Sequence, residues 1–170
     1  MAQISEEVLG DERATLLKFV EAQRVAIREA LDGVSAEQAA SRPSASELSL
    51  SGLVKHVSEA EHNWLRLAQQ RPNERFTGPE SWADGFRLVE GETIESVLAF
   101  WDGVRAELEE FVASAGSLDE TFPLPPAPWF PENGKVSVRW LLLHLVEEFA
   151  RHAGHADVIR ESIDGRKAMG

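Results

Sequence analysis

The chain has 170 residues, enough for one domain with its own buried core, and we read residues 1–170 as a single domain. It contains no cysteine, which excludes disulfides, thiolate metal sites, iron–sulfur clusters and a cysteine nucleophile together, so any metal ligand must come from His, Asp or Glu. Seventeen basic residues oppose twenty-nine acidic ones, a formal net charge of −12, and no basic cluster is longer than Arg166–Lys167; nucleic acid and anionic membrane surfaces are not expected partners.

Residues 1–10 lack both the basic start and the apolar run of a secretory signal. No stretch approaches the roughly 18 apolar residues of a membrane span. The expected location is the cytoplasm.

The first periodic stretch runs from Asp11 to Leu31, where Leu16, Leu17, Val20, Ile27 and Leu31 recur at three- and four-residue steps, and Gly33 follows as a stop. Ser35 and Gln38 have the form of a capping box, but Arg42-Pro43 ends any helix there quickly. A second long helix is predicted from Ser49 or Ser51 to Gln69, with Leu50, Leu53, Val57, Ala60, Trp64 and Leu67 as its apolar arc. Residues 71–91 carry Pro72, Gly78, Pro79, Gly85 and Gly91 and read as a long connection with a short helical turn around Trp82. Thr93 is placed to cap a third helix reaching Ser114, with Ile94, Val97, Trp101, Val104, Leu108 and Phe111 on one stripe. Residues 117–136 are broken by several prolines and read as a packed, functional loop. Ser137 is placed to cap a last helix from Val138 to Ile163, with Gly165 after it. No strand of useful length is predicted. Four long amphipathic helices with two long crossing loops give an all-α four-helix bundle.

Three polar residues do not fit their helix faces. On a wheel of the last helix at about 100° per residue, His152 falls inside the apolar arc of Leu141, Leu142, Leu145 and Phe149, and Glu148 falls at its edge. A carboxylate there is costly unless something satisfies it. Glu147 falls almost opposite and is expected in water. On the second helix His56 edges the apolar face, and His62 is expected outside. Glu148 and His152 are four residues apart, so both project from one face and are placed to grip one ion, with His56 supplying a third ligand from another helix. Two imidazoles and a carboxylate suit zinc, nickel, iron or manganese, and three protein ligands leave positions open for water or substrate. His144 and His155 are rival positions: a fourth ligand, a hydrogen-bond partner of a ligand, or surface residues.

Trp64 and Trp101 sit at core spacing. Trp82, Trp129 and Trp140 lie in or beside the long loops, where Trp129 is a candidate for lining a substrate pocket. No P-loop, dinucleotide fingerprint or G-x-S-x-G turn occurs. No residue is assigned a catalytic role from the sequence.

Two segments carry a resemblance. Residues 50–56 (LSGLVKH) on the second helix and residues 143–155 (LHLVEEFARHAGH) on the last resemble the DinB-like superfamily of four-helix metal-binding proteins. In that superfamily the last helix commonly has two His four apart and a Gly two residues after the second. Here His152 and Gly154 occupy the later places and Glu148 replaces the first His, which is similar to the mycothiol-dependent maleylpyruvate isomerase branch. The resemblance implies an up-down-down-up bundle, a zinc- or nickel-like divalent ion, a small-molecule substrate and often a homodimer. It also implies use of a low-molecular-weight thiol such as mycothiol or bacillithiol by an S-transferase or isomerase. Other expectations are a metal-dependent hydrolase using water, and a metal-stabilised binding or stress protein.

Overall fold

Four long helices carry the fold among the described residues, and each begins where a short polar side chain satisfies its first free N–H groups. The computed structural model describes residues 8–75, 84–128 and 130–168. Helix α1 (Glu12–Glu29) starts behind Asp11, whose carboxylate accepts from Ala14 N. The short α2 (Ala36–Ala40) contains the predicted Ser35–Gln38 capping box and stops before Arg42-Pro43. Ser49 caps α3 (Leu50–Ala68), and Thr93 with Ser96 forms a reciprocal cap on α4 (Ile94–Ser114). Ser137 caps α5 (Val138–Asp164), which ends at Gly165 with φ of 76°, a left-handed position that favours glycine.

Contacts between helices fix their directions. Arg28 meets Asp102 and Arg105 meets Glu21, so α1 and α4 run antiparallel. His62 packs on Phe100 and Arg66 pairs with Glu107, so α3 and α4 run parallel. His56 meets Glu148 and Trp64 packs on Trp140, so α3 and α5 run antiparallel. Arg139 pairs with Glu12 and Arg160 binds the Ala30 carbonyl, so α1 and α5 run parallel. The result is the expected up-down-down-up bundle. Its core is built from Val20 and Ile27 of α1, Val57 and Leu65 of α3, Trp101 and Leu108 of α4, and Leu141, Leu145 and Phe149 of α5. Burying each such aliphatic or aromatic side chain contributes about 1.5–3 kcal/mol.

Two findings differ from the sequence expectation. The loop before α5 contains a small antiparallel hairpin, β1 (Thr121–Pro123) with β2 (Lys135–Ser137), where Phe122 faces Val136 and is buried. Strands of three residues are too short to show an alternating pattern. The second concerns the phase of α3. This helix packs against both α4 and α5, so its buried arc is wide and centres on Val54, Val57, Glu61 and Leu65; Ala60, Trp64 and Leu67 are only half-buried. His62, expected outside, is therefore buried at 8% exposure.

Glu61 lies on the same arc and is fully buried. Arg24 of α1, also buried, donates through Nε to Glu61 Oε2 at 3.1 Å and through Nη2 to Oε1, while Trp101 Nε1 of α4 donates to Oε2 at 2.7 Å. One carboxylate thus joins three helices. A buried pair gives little net stability compared with apolar packing, but losing one partner strands the other charge. Glu61→Ala is expected to cost about 3–5 kcal/mol in urea unfolding, whereas replacing both partners, Arg24→Met with Glu61→Leu, costs less than that single change. A Glu61→Ala loss below about 1 kcal/mol, the range of an exposed pair, would contradict this reading.

Candidate metal centre

The antiparallel contact of α3 and α5 brings together the three residues singled out in the sequence. Glu148 and His152 stand one turn apart on α5, and His56 reaches them from α3. His56 Nε2 and His152 Nε2 each lie 3.2 Å from the same oxygen, Glu148 Oε1. Among the described residues these three form a group whose donor atoms all lie within 4.8 Å of one another. His152 is nearly buried, Glu148 is 16% and His56 23% exposed, so the cluster sits at the rim of the core with one side open. Hydrogen bonds from His152 first and then His56 hold the Glu148 carboxyl well below the usual carboxylate range, against a desolvation that acts the other way.

This donor set fits a divalent ion. Two ligands each about 2.0–2.1 Å from a tetrahedral ion are about 3.3 Å apart, close to both His–Glu separations. The ionised carboxylate supplies charge, and the imidazoles present the same nitrogen to one point. Nitrogen and oxygen donors without sulfur are acceptable to zinc, nickel, iron and manganese.

Neighbouring groups orient the two imidazoles. The His56 ring stacks on Phe86 with centroids 4.1 Å apart and planes 17° from parallel. Phe86 is held there by Gly52, one turn before His56: a Cβ at position 52 would lie 2.0 Å from the Phe86 carbonyl oxygen. On the other imidazole, His152 Nδ1 faces His155 Nδ1 at 3.4 Å, a long hydrogen bond that pairs one N–H with one lone pair. His155 itself is exposed.

His144 does not join the group. It lies one turn before Glu148, half-buried, stacked on Trp140 at 4.8 Å and edge-on to Trp64 at 4.7 Å. Burial pushes its imidazole below the ordinary value. Phe130 packs on Trp64, so Trp64, Phe130, Trp140 and His144 form one aromatic cluster where α3 meets α5. Glu147 is exposed and pairs with Arg151, as the wheel predicts. Trp129 and Trp82 lie outside the described residues. Sequence reasoning missed Phe86 and Gly52. The signal for Gly52 was present: a glycine inside a helix costs about 1 kcal/mol against alanine, which points to a close approach.

Gly52→Ala forces the Phe86 backbone to move. We expect it to lower stability by about 1–3 kcal/mol and to weaken divalent-ion binding without touching a donor atom. Thermal melting and metal titration of the variant check both effects. Unchanged melting and unchanged ion affinity would mean that the Gly52–Phe86 contact does not position His56.

Comparison with known proteins agrees with this architecture. The family model described as mycothiol-S-transferase matches residues 15–165. No curated protein matches the chain. Among solved structures, the crystal structure of a conserved protein from Enterococcus faecalis is similar with a TM-score of 0.66 at 13% identity, covering 92% of this chain and 99% of that one, a likeness of fold alone. Among the described residues no helix is long and apolar enough to cross a membrane. With a match over nearly its whole length, on a bundle of the expected topology, the chain belongs to the DinB-like mycothiol-S-transferase family.

Proposed function

We propose that His56, Glu148 and His152 ligate one divalent ion, zinc or nickel, and that the protein uses it to transfer the sulfur of a small thiol of the mycothiol type to an electrophile. The observation that carries this reading is the convergence of two imidazoles on one ionised carboxylate, in a chain of this family that has no cysteine of its own. The reacting sulfur therefore arrives with the co-substrate. When bound, a divalent ion supplies a Lewis acid that keeps a thiol in its nucleophilic thiolate form near neutral pH.

The chain's own residues do the positioning. Glu148 remains ionised beside both imidazoles and contributes negative charge. The Phe86 face fixes the plane of His56, and His155 offers Nδ1 as an acceptor for the His152 Nδ1 proton, the outer contact that orients a ligating imidazole. Three protein ligands leave the open side of the cluster to the co-substrate. The wall of Trp64, Trp140 and His144 then gives an apolar electrophile a surface beside that opening.

Loss of one ligand is expected to exceed the roughly 10–100-fold affinity cost of losing an outer hydrogen-bond partner. His56→Ala and His152→Ala should each lose most bound metal by elemental analysis. Glu148→Gln should weaken binding, and Glu147→Gln, on the exposed face, should change it little. Equal effects of the two glutamates would remove Glu148 from the site. For the activity, metal-loaded protein is mixed with mycothiol or bacillithiol and monochlorobimane, and thiol consumption is followed by fluorescence. We expect metal-dependent conjugation that the His152→Ala variant lacks. Turnover of the electrophile without any thiol would overturn the transferase reading in favour of hydrolysis.

A further inference from the structure

Glu148 offers two oxygens, and the structure gives them different partners. Oε1 meets both imidazoles, each at 3.2 Å. Oε2 meets Arg151, three residues further along α5, whose Nη1 stands at 3.5 Å, an ion-pair rather than a hydrogen-bond distance. The same guanidinium donates through Nη2 to Glu147 Oε1 at 2.6 Å. Its two ends therefore lie against two neighbouring carboxylates, one exposed and one at the rim of the core. A planar guanidinium with separate terminal nitrogens suits that span better than the point charge of an ammonium.

This pair is a poor source of stability. Arg151 is 56% exposed, and ion pairs at such positions add little to folding. What it sets is the way the carboxylate faces. A carboxylate binds an ion through one oxygen or chelates it through both. Chelation here requires Oε2 to turn toward the two Nε2 atoms, and that motion draws it away from Arg151. With Oε2 kept at the guanidinium, Glu148 gives one donor atom, as each imidazole does. A further protein donor atom would fill the position that a four-coordinate ion keeps open for substrate.

We propose that Arg151 is a positioning residue: it holds Oε2 back, so that Glu148 binds the ion through Oε1 alone and a position stays free for the thiol sulfur. The proposal rests on the reading of His56, Glu148 and His152 as metal ligands and adds to it the reason why the site stays open. Arg151 acts through Glu148 and is assigned no contact with the ion or the thiol.

Arg151→Ala suits the test, because alanine is the best helix former and the position is exposed; thermal melting should stay near that of the wild type. Crystal structures of the zinc-loaded proteins read the coordination directly. We expect one Glu148 oxygen on zinc in the wild type, both in Arg151→Ala, and one again in Arg151→Lys, which restores a cation. In cobalt-loaded protein titrated with mycothiol, the sulfur charge-transfer band of Arg151→Ala should need roughly tenfold more thiol to reach half its height, the scale on which an outer partner of a ligating carboxylate acts. Chelation by both oxygens in the wild type, binding through one oxygen in Arg151→Ala, or an unchanged thiol requirement in that variant would overturn the proposal. Zinc bound away from these three residues would overturn both this proposal and the ligand set it rests on. A wild-type cobalt form that mycothiol leaves unchanged would strike the transferase reading, while the count of Glu148 oxygens on zinc would still decide the role of Arg151.

Discussion

Glu148 is an ionised carboxylate at the rim of an apolar core, where Arg151 stands 3.5 Å from one of its oxygens and two imidazoles reach the other. One comes from its own helix and one from the helix that runs beside it in the opposite direction. That shared oxygen fixes the register of α3 against α5: shifting either helix by a residue would carry an imidazole away from it. The same geometry gives the cluster its chemistry, since three donors from two rigid helices are held with little freedom to lose when an ion binds. Both imidazoles turn Nε2 to the carboxylate, so an ion bound there would take the Nε2 lone pairs and leave each ring's Nδ1 free for an outer hydrogen bond.

Helix α3 serves both halves of the molecule. One face carries His56 toward α5. Another carries Glu61 into the core, where Arg24 and Trp101 close on it from α1 and α4. Gly52, at the N-terminal end of the same helix, admits the Phe86 backbone, whose ring lies on His56. The buried network thus anchors three helices, and the glycine brings the connecting segment close enough to support the His56 ring. In the proposed enzyme this division leaves the rim of the α3–α5 contact to the chemistry while the interior holds the helices in place.

How much of this the sequence revealed depended on whether the signal was local. Helix starts were legible because Asp11, Ser35, Ser49, Thr93 and Ser137 each cap within three residues of themselves. The phase of α5 was legible because Leu141, Leu142, Leu145 and Phe149 dominate its buried face, which put Glu148 at the edge and Glu147 outside. On α3 the wheel was misled by Lys55, Glu61 and His62, polar residues that lie on the buried side because their partners come from other helices. The distant partners Arg24 and Trp101 cannot be inferred from the helix that holds Glu61. The Gly52–Phe86 contact and the Phe122–Val136 pairing are likewise long-range and leave almost no periodic trace.

The central claim is that this cluster holds an ion whose open side takes a thiol sulfur. Cobalt substitution tests it most directly, because sulfur ligation gives an intense near-ultraviolet charge-transfer band that nitrogen and oxygen ligands do not. Titrating the cobalt-loaded protein with mycothiol, bacillithiol and glutathione should produce that band with at least one of them, and His152→Ala should abolish it. Cobalt bound at His56, Glu148 and His152 with no such band at saturating thiol would contradict the account.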